Sequence, residues 1–363
     1  MTIRILHVVT YMGRGGLETM LMNYYRKIDR NKIQFDFLVH RDIRADYDDE
    51  IESLGGCIYR IPKLNPFSPN YYKALEDFFQ KHKYKIVHSH VDCMSAYPLK
   101  AAKKAGVPVR IAHAHSSSQD KNWKYPIKYI SAKKISKYAT DYFACSDDAG
   151  KWMFSGKDFS VLKNAIDVKN YAPNKNEREK IKREFELEND SLIIGHVGRF
   201  SYPKNHTFLI DIFSYIKKYK PNAYLMLVGS GKGMMDIKNK VNQLKLDKNV
   251  IFTGSRSDVY SLMQAMDVFV FPSHYEGLGI VAIEAQAAGL PCIISNGVPK
   301  ECIVTKDLVS RKDLSELAEE WAVHILDRLC INRSNHIKEI IENGYDIAES
   351  AKWLEEYYVK KYE

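Results

Sequence analysis

Twice in succession the sequence alternates short apolar runs with stretches of helical periodicity, and that rhythm leaves few folds open. In the first half the runs are residues 3–9 (IRILHVV), 35–40 (FDFLVH), 57–61 (CIYRI), 86–90 (IVHSH), 107–112 (VPVRIA) and 141–145 (DYFAC). Helical patterns at 17–25, 71–82 and 96–104 separate them. The rhythm breaks over residues 161–171 and a highly charged stretch follows, 174–188 (NKNEREKIKREFELE). It restarts with runs at 192–197, 224–228, 250–253, 268–271 and 292–295, with helical patterns at 208–218 and 234–244. Strands that alternate with helices predict parallel, doubly wound sheets. Two such series predict an α/β chain of two Rossmann-like domains, 1–170 and 171–342, with the crossing in the charged stretch. At 363 residues each domain has enough chain for its own core.

Charge is distributed unevenly. Residues 1–170 carry 28 Lys and Arg against 18 Asp and Glu, a net of +10, while residues 171–363 carry 26 against 27. A basic first half predicts an acidic partner there. Nucleic acid is disfavoured, because no recognition motif accompanies the charge; an anionic membrane face or a phosphate-bearing acceptor fits better. The six cysteines are scattered with no C-x-x-C pair, which reads as reduced thiols in cytosol. The opening residues are too short for a signal peptide, and no apolar run approaches the ~20 residues of a membrane span.

The richest stretch is 271–290 (FPSHYEGLGIVAIEAQAAGL). An apolar strand runs into Phe271, a loop carries Glu276, and a helix pattern spans about 280–288. Gly277 and Gly279 allow backbone to approach a ligand closely. With Leu278 they lie where the free N–H groups at a helix start suit an anion such as a diphosphate. Glu276 in the loop and Glu284 in the helix then flank that anion, as sugar and ribose hydroxyls flank the diphosphate of a nucleotide sugar. An ordinary αβ loop with two surface glutamates is the plainer alternative.

Residues 198–206 (GRFSYPKNH) close the first strand of the second half. Arg199 and Lys204 lie past a strand's C-terminal end, where open αβ sheets bind ligands. Fixed cations there stabilise a departing diphosphate more in the transition state than before it; two solvated surface charges is the alternative. Gly229-Ser230 and Ser255-Arg256 follow the next two strands on the same edge.

Glu276 and Glu284 match the E-x7-E motif of retaining GT-B glycosyltransferases of the family-four type, and Gly198-Arg199 followed by Lys204 matches that family's second signature. The chain therefore resembles such enzymes over nearly its whole length, most of all those that build bacterial capsular, exopolysaccharide or lipopolysaccharide chains. The resemblance implies two facing Rossmann-like domains with the nucleotide-sugar cleft between them, and a last helix, within 343–363, that returns to the first domain. It implies that Arg199 and Lys204 act on the donor diphosphate. Gly229, Ser230, Ser255 and Arg256 would form the nucleotide base and ribose loops. Gly15 and Gly16, in the glycine-rich loop Arg14-Gly15-Gly16-Leu17-Glu18, would touch the donor phosphate or the acceptor. A histidine after the 107–112 strand would contact the donor sugar or the reacting centre, with His115 the catalytic candidate and His113 an acceptor-side one. Spacing does not choose between His113 and His115, since alternation places both on one side; His115, further past the strand, is favoured. His88 and His90 pose the same question, and H-x-H pairs also suit metals, but no carboxylate nearby completes a site.

Residues 121–137 (KNWKYPIKYISAKKISK) are basic and aromatic, and predict either a surface resting on an acidic membrane or a solvated helix. The expected activity is retaining transfer of a sugar from a nucleotide-diphosphate sugar, UDP favoured, to a saccharide or polyprenyl-linked acceptor. No cofactor or metal is expected. The expected location is the cytoplasm or the inner membrane face. Two alternatives stay open: a nonhydrolysing UDP-sugar 2-epimerase, and a non-catalytic nucleotide-sugar-binding partner subunit. A dinucleotide oxidoreductase is disfavoured, as no G-x-G-x-x-G follows any strand.

Overall fold

A computed structural model of the protein describes residues 2–116 and 125–363. The chain divides into two compact units, Met1–Ile166 with Asp346–Glu363, and Asp167–Tyr345. Among the described residues each unit holds one parallel sheet.

The first sheet comprises β1 (Ile3–Val9), β2 (Ile33–Val39), β3 (Ile58–Arg60), β4 (Ile86–Ser89), β5 (Val109–Ala114), β6 (Asp141–Ala144) and β7 (Ser160–Val161). Its spatial order is β3-β2-β1-β4-β5-β6-β7. Side chains alternate between the two faces of a strand. One face buries Ile5, Val9, Phe35 and Phe37 against Tyr24 and Tyr25 of helix Gly16–Lys27. The other buries Leu6, Val8 and Leu38 against Leu75, Phe79 and Leu99. The C-terminal helix Ile347–Tyr362 closes the first of these faces with Ile347, Leu354 and Tyr358. It is tied in where the Ile347 N–H donates to Ile166 O at 3.0 Å. Trp353 of the same helix is 43% exposed.

The second sheet comprises β8 (Leu192–Val197), β9 (Ala223–Val228), β10 (Val250–Gly254), β11 (Val268–Phe271), β12 (Cys292–Ser295) and β13 (Val309–Lys312). Its order is β10-β9-β8-β11-β12-β13. Strand order therefore reverses between β8 and β11 here, and between β1 and β4 in the first sheet. Such reversal points leave a crevice beyond the strands' carboxyl ends, where doubly wound sheets hold ligands.

The charged stretch expected as the crossing is instead mostly a helix of the second unit, Lys175–Glu184. Asn174 caps its first turn through Oδ1. Ile181 is buried, and Arg178 donates to Ala265 O at 2.7 Å and pairs with Asp267. Lys182 is buried too, its Nζ donating to Asn189 O at 2.7 Å, while most of the other charges line the outer face of a packed helix, so their density marked a surface and not a linker. The edge strands β7 and β13 were absent from the sequence reading, because neither is a buried apolar run. All six cysteines are free thiols. Among the described residues no helix is long and apolar enough to cross a membrane.

Candidate functional site

The reversal point of the second sheet gathers the acidic and basic residues singled out above. Gly198 leaves β8 and Lys204 ends a short 3-10 turn, Tyr202–Lys204. Glu276 lies in the loop after β11. Lys204 Nζ is 2.7 Å from Glu276 Oε1, with the two side chains 18% and 12% exposed. The same ammonium lies 4.6 Å from the ring centroid of Phe271. The two loops are joined where His274 N–H donates to Pro203 O at 2.7 Å, and the Tyr202 and His274 rings stack at 4.5 Å. Arg199 is exposed and, among the described residues, makes no ion pair.

Gly279 caps helix Ile280–Ala287 with a left-handed backbone, φ 80°. A Cβ there would also lie 3.0 Å from Val298 Cγ1, so the left-handed backbone favours glycine and the space beside it is tight. Leu278 beside it is buried. One and a half turns on, Glu284 is 8% exposed. Burial pushes its carboxyl up to about 7, partly offset by a hydrogen bond from Tyr171.

The loops after β8 and β9 pack backbone on backbone. Phe200 N–H donates to Ser230 O at 3.0 Å, and a Cβ on Gly229 would sit 2.2 Å from Gly198 O. Ser230 Oγ and Ser255 Oγ share a hydrogen bond of 2.8 Å, which joins the β9 and β10 loops. Arg256 sits beside them, but its guanidinium is held by Asp258 and Glu184, each at 2.7 Å. Ion pairing, which the sequence pattern did not reveal, engages the group expected to face a nucleotide.

In the first unit Gly15 caps helix Gly16–Lys27, and a Cβ on Gly16 would meet nothing within 4 Å. His113 and His115 join His7, His88 and His90 on one face, a consequence of period-two alternation on β1, β4 and β5. His7 pairs in register with His88. Two hydrogen-bonded rows result. His7 Nδ1 meets His90 Nε2 at 3.0 Å, and His90 Nδ1 meets His115 Nε2 at 3.0 Å. Tyr358 Oη meets His88 Nδ1 at 2.7 Å, and His88 Nε2 meets His113 Nδ1 at 3.1 Å. Desolvation lowers all five imidazoles, His7 and His115 to about 3, so the rings are neutral at pH 7. Two triads, His7/His88/His90 and His90/His113/His115, bring ring nitrogens within 4.8 Å of one another. In the second triad the stacked pair His113–His115, 4.0 Å between centroids, does not place one ion in both ring planes.

Asp92 was not singled out in the sequence. It follows β4 with φ 46°, a conformation non-glycine residues seldom adopt. Its Oδ1 accepts from the His115 backbone N–H at 2.7 Å and Oδ2 from Ser116 Oγ at 3.2 Å. Nothing in a lone V-D-C tripeptide announces this.

Residues 117–124, with Lys121 and Trp123 of the basic aromatic segment, lie outside the described residues. The remainder forms helix Tyr125–Ile135, whose outer side exposes Tyr129 and Ile130 with Lys133 and Lys134.

Two family models match the chain: glycosyltransferase family 4 over residues 14–170 and glycosyl transferases group 1 over residues 177–346. A Bacillus subtilis protein named as the glycosyltransferase EpsF is 38% identical, with 94% of this chain and 93% of that one aligned. An Escherichia coli UDP-Gal:alpha-D-GlcNAc-diphosphoundecaprenol alpha-1,3-galactosyltransferase is 27% identical over 79% of this chain and 78% of its own. The Staphylococcus aureus capsular polysaccharide biosynthesis glycosyltransferase CapH is 28% identical over 99% of each. Among solved structures, Anabaena HepE in complex with UDP and glucose superposes with a TM-score of 0.81 at 18% identity, covering 98% of this chain and 99% of that one.

Proposed function

The chain belongs to glycosyltransferase family 4 and is a glycosyltransferase of GT-B fold; from this premise we propose that it moves a sugar, with retention and without a metal, from a UDP-sugar to a saccharide or lipid-linked saccharide in bacterial surface polysaccharide assembly. The observation that carries the reading is the Lys204–Glu276 pair beside the Gly277–Gly279 helix start, at the β8/β11 reversal. Lys204 and Arg199 face the diphosphate with the amide end of helix Ile280–Ala287, Glu276 takes sugar hydroxyls, and Glu284 takes ribose hydroxyls. The bond from the anomeric carbon to the diphosphate oxygen breaks as the acceptor oxygen attacks the same face. The acceptor's proton passes to the departing phosphate oxygen, and the cations stabilise the charge left there. Glu276 is not the nucleophile of a double displacement: with Glu276 in the loop and Glu284 in the helix, the pair suits sugar and ribose hydroxyls instead. The first unit, with its basic surface, takes the acceptor.

Relatives support the two substrates: HepE is solved with UDP and glucose, and the E. coli enzyme's name specifies UDP-Gal and a diphosphoundecaprenol acceptor. A thermal-shift panel of UDP-, GDP- and ADP-sugars tests the reading. A UDP-sugar at 100 times its dissociation constant stabilises the fold by about 2.7 kcal/mol. No shift with any UDP-sugar rejects the donor. Epimerisation of UDP-N-acetylglucosamine without acceptor would establish a 2-epimerase instead, and turnover lost in EDTA would reject metal independence.

A further inference from the structure

Glu284 occupies a place where desolvation makes an unpaired charge costly. Three other carboxylates with little exposure are paired with cations, Asp36 with Arg4, Asp48 with Arg60 and Glu276 with Lys204. Glu284 is 8% exposed and, among the described residues, forms no ion pair. Its neighbours on helix Ile280–Ala287 are apolar and buried, Ala282, Ile283, Ala285 and Ala287. What it has instead is the hydroxyl of Tyr171, which ends the short helix Val168–Tyr171 of the same unit. Charged groups on the elements packed around it are Lys169 beside Tyr171, Lys300 and Glu301 on the turn Lys300–Cys302, and Lys338, Glu339 and Glu342 on helix Ile337–Glu342. Strands β11 and β12 bring none. Only burial and the Tyr171 hydroxyl act on the Glu284 ionisation. The phenol itself faces Tyr260 and Asp167 as well as Glu284.

Tyr171 is held in turn. Its carbonyl accepts from Gln264 Nε2 at 3.2 Å, and Gln264 Oε1 accepts from the Asn174 N–H at 2.9 Å. Its ring meets that of Tyr260 edge-on, with centroids 6.3 Å apart and planes at 76°. Arg333 joins the two carriers. Its guanidinium donates at 2.6 Å to Gln264 O, on helix Val259–Ala265, and at 2.6 Å to Ala288 O, at the end of the Glu284 helix. Donor and acceptor therefore belong to one cross-tied frame.

An ionised carboxylate offers about four acceptor sites, whereas the protonated acid turns one oxygen into a donor. Two ribose hydroxyls that both donate are matched by the ionised form. A hydroxyl fixed on one side favours that form and sets how the carboxylate is turned. Burial and Glu284 raise the Tyr171 phenol well above its ordinary value, so it keeps the proton it donates.

We propose that Tyr171 is a positioning residue whose hydroxyl aims the Glu284 carboxylate, so that Glu284 selects nucleotides with a ribose diol over those without one. This rests on the reading above that Glu284 takes the ribose hydroxyls.

The test uses the full-length protein, with UDP and 2′,3′-dideoxy-UDP as probes and calorimetric titration as the readout. The ratio of the two dissociation constants isolates the diol, because the diphosphates titrate alike. In the wild type at pH 8.5, UDP is expected to bind on the order of 10²-fold more tightly, the size of two hydrogen bonds to a charged acceptor. The ratio should shrink as pH falls through about 7, where the Glu284 carboxyl takes up its proton. Tyr171→Phe keeps the ring against Tyr260. At pH 7 it should lower the ratio about 3- to 10-fold, the size of one hydrogen bond, and move the midpoint of the ratio against pH upward, since the carboxylate has lost its donor. In the Glu284→Gln background the same change should leave the ratio as it was. A tyrosine that served packing alone would alter the ratio in both backgrounds or in neither.

A ratio that Tyr171→Phe leaves unchanged, or lowers equally in both backgrounds, overturns the positioning role. A wild-type ratio well above one but flat between pH 6 and 9 overturns it too, and needs no variant. A wild-type ratio near one at every pH removes the ribose from Glu284, and this inference with it. UDP that fails to bind the wild type rejects the donor reading on which both stand.

Discussion

Lys204 Nζ and Glu276 Oε1 lie 2.7 Å apart across 72 positions of sequence. The pairing follows from topology: β8 and β11 are neighbours in the sheet though β9 and β10 intervene in the chain. Glu276 neutralises the ammonium, and on the proposed reading a bound diphosphate competes for it. Lys204→Ala is expected to lower turnover on the order of 10²–10³-fold, as removal of one preorganised charge donor does. Donor affinity should change by less than about 10-fold, because the interaction strengthens as the leaving group gains charge. Separate measurement of kcat and of the donor dissociation constant decides this; equal losses in both would contradict the role.

Glu284 gives a pH signature in stability. Its carboxyl is raised by burial to about 7 in the folded protein, from 4.5. Between those values the folded state binds more protons than the unfolded one, so stability falls as pH rises from about 4.5 to about 7 and then levels off. The shift corresponds to an effect on the order of 3 kcal/mol. Glu284→Gln removes the ionisation, keeps an oxygen for the Tyr171 hydroxyl, and should flatten this part of the profile. It should melt above the wild type at pH 8 and, if Glu284 takes the ribose as proposed, bind UDP more weakly. Melting curves from pH 5 to 8.5 check the first outcome and UDP titration the second. A Gln variant with the wild-type pH slope would remove Glu284 as its source.

Glycines in the two binding loops differ in what they forbid. At Gly279 a side chain meets left-handed backbone and the Val298 methyl at 3.0 Å, which yields by a few tenths of an ångström. Gly279→Ala should destabilise by about 1–2 kcal/mol, the cost of the conformation. At Gly229 the obstacle is the carbonyl of Gly198 at 2.2 Å, with φ 140°. Backbone there must move, so Gly229→Ala should cost more and separate the Ser230–Ser255 link. Gly254, φ 71° with open space around it, offers the control: Gly254→Asn should be nearly neutral, since Asn tolerates this region. Urea midpoints should fall from Gly254→Asn through Gly279→Ala to Gly229→Ala; equal losses would refute the steric distinction.

The sheets, the helices and the places of the singled-out residues in the second unit were legible because they rest on local signals: apolar runs of strand length, a glycine before a helix, and charged residues just past strand ends. Gly279 and Glu284 are of this kind. Legibility ended where the determinant is long-range. Arg256 appeared as a cation beside a nucleotide loop, and only tertiary packing brings Glu184 to it from 72 residues away. The charged residues 174–188 resembled a linker because single-sequence charge density is the same for a linker and for the outer face of a helix; of the fifteen only Ile181 and Lys182 are buried. The histidines were visible as two H-x-H pairs, but the row through His90 also needs His7, which only the β1–β4 register supplies. Asp92 carries no local signal, since its role is to hold backbone 23 positions away.

Helix Tyr125–Ile135 presents one outward stripe in which Tyr129 and Ile130, 49% and 52% exposed, precede Lys133 and Lys134, with exposed Lys137 one turn beyond. Positions three and four apart share a face, so the apolar pair and the three lysines meet the same plane. Lys133 already rests 4.4 Å over the Tyr129 ring, its charge shielded on the protein side and open outward. Each lysine near an anionic bilayer contributes about 1 kcal/mol. Changing Lys133, Lys134 and Lys137 to Glu removes about 3 kcal/mol of attraction and adds repulsion, so binding to phosphatidylglycerol vesicles should fall at least about 100-fold. Folding should be retained, as none of the three side chains is buried. Co-sedimentation at fixed salt, with phosphatidylcholine vesicles as the neutral comparison, measures it. Wild-type sedimentation by the triple variant, or equal binding to both lipids, would show that these lysines face only water.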